Sequence, residues 1–206
     1  MQPHRYDSNG SHKMGTEAEK YFSHIMDELG YKVRKANKQE DMVDHIDFFC
    51  KKKSNPVKTF DVKGDKRESR NKENGKVTSD KAIWVEFQNE RPYKNGNFGG
   101  WMYGKSQMIA FFIKEYDYFV SVPRKKLVSL CESLIDTNKI VSNSTNAKKI
   151  RCCYRRTTFG KKYELTAIIT LKELLSLDHF IISKNGVEKK SGTKSKPEDL
   201  TSLFSY

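Results

Sequence analysis

Two short apolar segments, separated by a turn-like linker, constrain this chain more than any other feature. The segments are His45-Ile46-Asp47-Phe48-Phe49-Cys50 and Thr59-Phe60-Asp61-Val62-Lys63. Both are rich in aromatic and β-branched residues, which favours strands. Ser54, Asn55 and Pro56 lie between them and are typical of a turn. The pattern therefore predicts a β-hairpin.

The predicted hairpin brings two carboxylates and one ammonium group to the same face. Side chains alternate between the two faces of a strand, so Asp47, Asp61 and Lys63 lie opposite the apolar side chains that form a core face. The three charged groups converge if Asp47 pairs with Asp61 or Lys63, and a turn centred near Ser54 satisfies that register. The simpler alternative is that these are solvated charges on an open sheet face.

Converging carboxylates repel each other unless a cation neutralises them, and a hard divalent cation does so. Asp47 and Asp61, together with the main-chain carbonyl of Val62, suit Mg²⁺ or Mn²⁺. Lys63, one pleat away from Asp61, can orient a water molecule or stabilise negative charge on a phosphate. These residues predict a metal site that acts on phosphate esters.

Four parts of the chain resemble the PD-(D/E)XK nuclease superfamily. They are Gly15-Thr16-Glu17-Ala18-Glu19, Leu29-Gly30-Tyr31-Lys32-Val33-Arg34, Asp47 and Asp61-Val62-Lys63. The pattern is most similar to archaeal Holliday-junction resolvases, which carry Gly-x-x-Ala-Glu on the first helix. A weaker similarity to phage-borne members continues through Trp84-Val85-Glu86 and Gly100-Trp101. No Pro precedes Asp47, and Asp61 stands where the superfamily usually has Glu.

The resemblance implies an α/β fold with a restriction-endonuclease-like mixed sheet flanked by helices. The expected core order is a helix, three mostly antiparallel strands, a fourth strand, a helix and a further strand. The implied activity is Mg²⁺- or Mn²⁺-dependent hydrolysis of phosphodiester bonds by an endonuclease acting on duplex or branched DNA. The implied catalytic residues are Glu19, Asp47, Asp61 and Lys63, and the implied metal ligands are Asp47, Asp61, Val62 and Glu19.

The acidic residue on the first helix is not decided by periodicity. Glu17 and Glu19 lie on opposite flanks of the apolar stripe, each roughly 90–110° from its centre. Glu19 also has a structural interpretation, since Thr16 and Glu19 have the spacing of a capping box. The resemblance selects Glu19, because Glu19 follows Ala18 in the matching motif.

The charge of the chain favours a polyanionic partner. There are 39 Lys and Arg against 26 Asp and Glu, a formal net charge of +13. Residues 124–162 hold eleven of the basic residues against Glu132 and Asp136, a net +9. This clustering favours nucleic acid over a membrane as the partner, although a generally lysine-rich surface is the alternative; that the nucleic acid is DNA is what the resemblance implies. The predicted nucleic-acid contacts are Lys66, Arg67, Arg124, Lys125, Lys126, Arg151, Arg155, Arg156, Lys161 and Lys162.

Local signals predict a flexible N-terminus over residues 1–14, the nuclease-like domain over 15–183 and a flexible polar tail over 184–206. Thr16 is the expected N-cap of the first helix, which ends at Gly30, and residues 31–36 are expected to form the first strand. Residues 82–88 are expected to form a strand that neighbours the hairpin in the sheet. The elements expected after it are a helix over 105–114, a strand over 116–122, a helix over 123–135, a hairpin of 150–154 with 163–169, a helix capped by Thr170 and Glu173, and a strand over 180–183.

Three further features qualify the functional interpretation. His45 alternates onto the face of Asp47, which would allow an RNA endonuclease of the cap-snatching type. A nucleic-acid-binding or interaction protein that keeps the nuclease fold without turnover is an alternative from another class. The glycine-rich residues 89–104 carry aromatic side chains that either stack on bases or fold onto the core.

The sequence also bounds the location of the protein. Its four cysteines have no zinc-binding spacing and are expected to be free thiols in a cytoplasmic or nuclear compartment. No signal peptide, membrane-spanning segment or lipidation motif is apparent, so no membrane or secreted location is expected. A homodimer is left open.

Overall fold

The computed structural model describes residues 8–65, 81–89, 99–157 and 163–192. For a few residues inside helices and strands, the structure describes the backbone but not the side chain. The α-helices are α1 (Ser8–Glu28), α2 (Lys38–Met42), α3 (Arg124–Leu134), α4 (Ser144–Ile150) and α5 (Leu171–Leu175). The strands are β1 (Lys32–Lys35), β2 (Phe48–Lys51), β3 (Lys58–Lys63), β4 (Ala82–Asn89), β5 (Met108–Ile113), β6 (Tyr118–Pro123), β7 (Asp136–Val141), β8 (Cys152–Thr157), β9 (Tyr163–Thr170), β10 (His179–Ser183) and β11 (Gly186–Lys190).

The structure is a mixed α/β arrangement whose larger sheet has seven strands in the order β1-β2-β3-β5-β6-β10-β11. Neighbouring strands in this sheet are antiparallel except for β3 and β5, which are parallel. A smaller sheet has four strands in the order β4-β9-β8-β7. The parallel β3–β5 pair needs a long connection between its strands, and that connection includes β4, a strand of the smaller sheet.

Two apolar cores enclose the larger sheet. On one face, Ala18, Phe22, Ile25 and Met26 of α1 pack with buried residues of β2, β3 and β5. On the other face, Ile109, Phe111 and Ile113 of β5 belong to the core that the smaller sheet also lines. Strand β5 is therefore buried on both faces, which explains why it is apolar throughout rather than alternating.

Several predicted elements are confirmed. Strands β1, β6 and β10, helix α3 and the β8–β9 hairpin lie within a few residues of the predicted bounds. The capping box at the start of α5 is present, with Thr170 and Glu173 as its two residues. All four cysteines are buried free thiols. Within the described ranges, no helix has the length and apolar character needed to cross a membrane.

Four predictions about elements are wrong. Residues 108–113 form a strand and not a helix, because a short apolar run has no period that separates the two. Strand β4 pairs with β9 and does not neighbour the hairpin in its sheet. Helix α1 begins at Ser8, so Thr16 lies inside the helix and does not cap it. Residues 186–190, which the predicted tail includes, form β11, and a turn at Lys184 and Asn185 joins β11 to β10 in the larger sheet.

Parts of the expected flexible termini, residues 1–7 and 193–206, lie outside the described residues, as do Tyr93 and Phe98 of the glycine-rich segment.

Candidate active site

The hairpin brings Asp47 close to Asp61. Phe48 pairs with Phe60 and Cys50 with Lys58, and Asp47 lies one residue before β2. The Asp47 amide donates a hydrogen bond to the Phe60 carbonyl at 2.8 Å, one residue out of the register of the strands, and the Asp47 carboxylate contacts the amide of Val62, the residue after Asp61. Since Phe60 and Val62 face α1, Asp61 and Lys63 project from the opposite face of β3.

Asp47 is a buried carboxyl group with one fixed contact. Its side chain is 8% exposed, and its Oδ2 accepts a hydrogen bond from the Val62 amide at 2.6 Å. Burial and, next, the charge of Asp61 raise the pKa of Asp47 to about 7, although Lys63 and the Val62 amide act in the other direction. Asp47 therefore changes charge near neutral pH.

Asp61 is more deeply buried than Asp47 and is held between two cations. It is 1% exposed, its Oδ1 lies 2.5 Å from Lys63 Nζ, and its Oδ2 accepts a hydrogen bond from Arg124 Nη2 at 2.9 Å. Burial would lower the pKa of Lys63, but Asp61 and Asp47 outweigh it and the pKa is raised. Lys63 is thus an ammonium group at neutral pH, suited to electrostatic stabilisation and not to accepting a proton.

Arg124, the first residue of α3, completes this cluster. It is 4% exposed, and besides Asp61 it donates to Ser106 Oγ at 2.6 Å and to the Ser106 carbonyl at 2.9 Å. The carbonyls of Trp101 and His45 accept its remaining contacts. Burial lowers the pKa of Arg124, with Asp61 opposing that effect. Arg124 differs here from the expectation that it is an exposed phosphate contact, because its guanidinium is directed inward onto Asp61.

One sequence signal could have identified Arg124. A cation in the first turn of a helix is unfavourable with respect to the helix dipole, so Arg124 at the start of α3 calls for a nearby anion. Nothing local in the sequence indicates that this anion is Asp61, which precedes it by 63 residues.

A cavity of about 320 Å³ lies against this cluster. Helix α1, the end of β3, the start of β4 and β5 supply its walls, and the residues that line it are Met14, Gly15, Thr16, Glu19, Asp41, Asp47, Val62, Lys63, Gly64, Asp65, Ala82, Ile83, Trp84, Trp101, Phe111 and Phe112. A Cβ atom at Gly64 would lie 2.8 Å from the carbonyl oxygen of Met14. The end of β3 therefore approaches the backbone of α1 in a way that only glycine allows.

The structure places Glu19, and not Glu17, at the cavity. The Glu19 side chain is 25% exposed and forms an ion pair with Lys35 at 3.1 Å, whereas Glu17 is 63% exposed and faces Lys13 at 3.9 Å. The helical capping role for Glu19 is excluded because α1 begins eleven residues before it, at Ser8. The residue that the resemblance selects is thus the one near the acid pair.

A second ion cluster, centred on the buried Lys81, lies beside the cavity. Lys81 Nζ lies 2.6 Å from Asp65 and 2.5 Å from Glu115. Burial would lower the pKa of Lys81, but hydrogen bonds to these two acids outweigh it and raise the pKa. The cluster joins the end of β3 to the start of β4 and was not identified from the sequence, because its members are distant along the chain.

The predicted metal site contains few carboxylate ligands. Among the residues that the structure describes, no group of three or more His, Cys, Asp or Glu side chains is placed to hold a metal ion. Mg²⁺ is often bound by only one or two carboxylates together with water and substrate phosphates. Asp47 and Asp61, with the Val62 carbonyl and with Glu19 near the water shell, fit that kind of site. A cation there would compete with Lys63 and Arg124 for the oxygens of Asp61.

The predicted nucleic-acid contacts occupy different environments. Lys125, Lys126 and Arg155 are exposed, whereas Arg151 is engaged by Glu173, with one contact of 2.6 Å. Lys66, Arg67, Lys161, Lys162 and the side chain of Arg156 lie outside the described part of the chain.

His45 does not follow the strand alternation that predicted it on the same face as Asp47. His45 precedes β2 and has a left-handed backbone with φ of 51°, so the period of a strand does not apply to it. It is not among the described residues that line the cavity.

Comparison of the chain with protein-family models, with curated proteins and with solved structures gave no match in any of the three.

Proposed function

We propose that this chain is a divalent-metal-dependent nuclease that hydrolyses phosphodiester bonds in DNA, with a core of the restriction-endonuclease type. The observation that carries the proposal is the proximity of Asp47, whose carboxylate contacts the amide of Val62, to Asp61, with Lys63 beside Asp61 at a cavity. The formal net charge of +13 supports a polyanionic substrate.

In this proposal each residue of the cluster has a separate role. Asp47, Asp61 and the Val62 carbonyl would hold Mg²⁺ or Mn²⁺, and Glu19 would supply a further acid near it. The bound metal would activate a water molecule and stabilise charge on the phosphate. Lys63 remains an ammonium group and contacts a non-bridging phosphate oxygen or the attacking water. Arg124 holds Asp61 in one orientation and neutralises part of the negative charge of the acid pair.

One observation favours a second candidate, a nucleic-acid-binding protein without turnover. Both oxygens of Asp61 already have cationic partners, Lys63 and Arg124, so the acid pair is compensated without a metal. The RNA endonuclease alternative depended on strand alternation placing His45 on the same face as Asp47. His45 does not have a strand conformation, so this observation no longer favours that alternative.

Cleavage and metal binding should be measured on the same preparation. Plasmid, linear duplex, single strand and four-way junction are incubated with Mg²⁺, Mn²⁺, Ca²⁺ or EDTA. We expect cleavage with Mg²⁺ or Mn²⁺, binding with little cleavage in Ca²⁺, and none in EDTA. Asp61→Asn should abolish cleavage, while Asp136→Asn, an exposed acid on β7, serves as the matched control.

Two results would contradict the proposal. Undiminished cleavage in excess EDTA would exclude the mechanism, and full activity of folded Asp61→Asn would exclude the site. Nucleic-acid binding without cleavage on any substrate, and without Mg²⁺ or Mn²⁺ binding by calorimetry, would favour the second candidate.

A further inference from the structure

Four aromatic residues contribute to the wall of the cavity. Trp84, Trp101, Phe111 and Phe112 all line it, and Trp84 and Trp101 are the two tryptophans of the chain. Trp101 stands directly beside the charged cluster, since Lys63 Nζ lies 4.9 Å from the centre of its ring. Trp101 is 7% exposed, so the part of its indole that is accessible lies next to the Lys63 ammonium group in the cavity lining.

The size of the cavity limits what it can admit. Its volume of about 320 Å³ is at the lower end of the roughly 300–1,000 Å³ range of small-ligand sites. A nucleic-acid duplex, whose major groove alone is about 12 Å wide, is far larger than this cavity. A single nucleotide or a short stretch of one strand is of the appropriate scale.

The acids are recessed, which adds a second constraint. Asp61 and Asp47 are 1% and 8% exposed, and the Lys63 side chain is more accessible at 26%. Asp47 and Lys63 line the cavity, so a phosphodiester that contacts both of them must enter it with its attached sugar. In a paired duplex this requires a nucleotide to leave the stack, and the free-energy cost is smallest for a nucleotide that is already unpaired.

We infer that this cavity accepts an unpaired nucleotide, with its base against the aromatic wall and its phosphate at Lys63. Aromatic side chains bind bases of any sequence by stacking, and Lys63 supplies the positive charge that a phosphate requires. The inference rests on the proposed nuclease function and names its substrate: single strands, and the single-stranded portions of gapped, flapped or branched molecules.

The first test measures binding and does not depend on catalysis. Because both tryptophans line the cavity, their fluorescence reports on its occupant. In EDTA, titration with tetrathymidylate should quench this fluorescence, and a fully paired hairpin at equal nucleotide concentration should not. No quenching by tetrathymidylate, or equal quenching by the hairpin, would overturn the inference.

Variants then identify the stacking surface. Trp101→Leu keeps an apolar side chain but removes the ring, and it should weaken tetrathymidylate binding by about 5- to 100-fold. Tyr103→Phe, which alters a 46% exposed aromatic residue outside the cavity lining, should leave affinity unchanged. If circular dichroism shows that Trp101→Leu is unfolded, Trp101→Phe replaces it and should weaken binding by a smaller factor. Wild-type affinity in every folded Trp101 variant would contradict the assignment of the ring.

The second test measures cleavage on matched oligonucleotides in Mg²⁺ and in Mn²⁺. One sequence is presented as a blunt duplex, as the same duplex with a short gap, and as a single strand. We expect the duplex to be cleaved at least about tenfold more slowly than the other two. If the duplex is cleaved as fast, the nuclease function stands and the inference is wrong. If nothing is cleaved while tetrathymidylate quenches fluorescence, the inferred pocket stands and the proposed function is wrong.

Discussion

The buried cluster at β3 and the basic segment of residues 124–162 carry charge in different ways. The cluster of Asp47, Asp61, Lys63 and Arg124 balances two acids with two cations away from water. The segment has a net charge of +9, and Lys125, Lys126 and Arg155 within it are exposed. By position Arg124 belongs to both regions, but its contacts are those of the cluster.

This difference indicates what each charge can do. Removing a charge from water costs several kcal/mol unless a partner compensates it, so every member of the cluster is tied to the fold as well as to the site. An exposed lysine is solvated in both folded and unfolded states and contributes little to stability. Changes in the cluster should therefore alter chemistry and stability, whereas changes of the exposed lysines in the segment should alter only binding.

The largest expected effect separates two lysines. Lys63→Ala should lower the cleavage rate by about a hundredfold to a thousandfold, because it removes the ammonium group beside the reacting phosphate. Lys125→Ala should change the same rate by less than about tenfold, since it removes one exposed phosphate contact. Single-turnover cleavage assays measure both rates. Equal losses in the two folded variants would remove the distinction between the regions.

The ion pair between Arg124 and Asp61 should have the largest effect on stability. Arg124→Met leaves Asp61 with one partner fewer, and it should lower the free energy of unfolding by about 3–5 kcal/mol. Lys126→Met, two positions away on the exposed side of α3, should change it by no more than about 0.5 kcal/mol. Urea denaturation followed by circular dichroism provides the comparison.

A double variant sharpens this result. If the two side chains act as a pair, Asp61→Asn combined with Arg124→Met should cost less than the sum of the single substitutions. Strict additivity would show that Arg124 stabilises α3 through its other contacts, with Ser106 and the neighbouring carbonyls, and not through Asp61.

The two glutamates of α1 offer a test within one helix. Glu19→Gln should slow cleavage by about 10- to 100-fold, as expected for a residue at the water shell of a metal, and should leave stability little changed. Glu17→Gln, which affects an exposed side chain away from the cavity, should have no effect on either quantity. An inactive Glu17→Gln with an active Glu19→Gln would show that α1 presents a different face to the site.

The raised pKa of Asp47 predicts a pH dependence of stability. With a pKa of about 7 in the folded state against an ordinary value of 3.8, the folded protein binds a proton that the unfolded chain releases. This contribution is fully present below about pH 4, and it declines by up to about 1.4 kcal/mol per pH unit as the pH rises to about 7. The measurement is the difference between the wild-type and Asp47→Asn stability curves in EDTA. Parallel curves would show that Asp47 has an ordinary pKa.

The smallest expected effect concerns the exposed segment. Reversing the charges of Lys125 and Lys126 to Glu should weaken binding to all DNA sequences alike. It should also reduce the dependence of log affinity on log salt by about one for each phosphate that the protein no longer neutralises. Fluorescence anisotropy across a salt series measures this, and thermal unfolding should be unchanged. An unaltered salt dependence would place the DNA-binding surface elsewhere.

Short-range sequence patterns were sufficient to predict the hairpin and one helix cap. Alternating apolar residues and a turn predicted the hairpin that brings Asp47 close to Asp61. Likewise, the Thr170–Glu173 spacing predicted the cap of α5, because a capping box is made by residues three apart in the chain. In each case the interacting groups are neighbours in sequence or are joined by one short turn, so their geometry follows from local backbone preferences.

Tertiary structure alone decided the remaining features. The apolar run of β5 is compatible with either a helix or a strand, and it is a strand because β3 and β6 pair with it on both edges. Strand β4 lies in the smaller sheet because its partner, β9, comes about eighty residues later. Arg124 looked like one more exposed cation of a basic segment until α3 placed it against Asp61. The sequence shows how many charged residues a segment has and how they are spaced. Whether a charged side chain is buried in a site depends on contacts between segments that are distant in the chain, which no local pattern encodes.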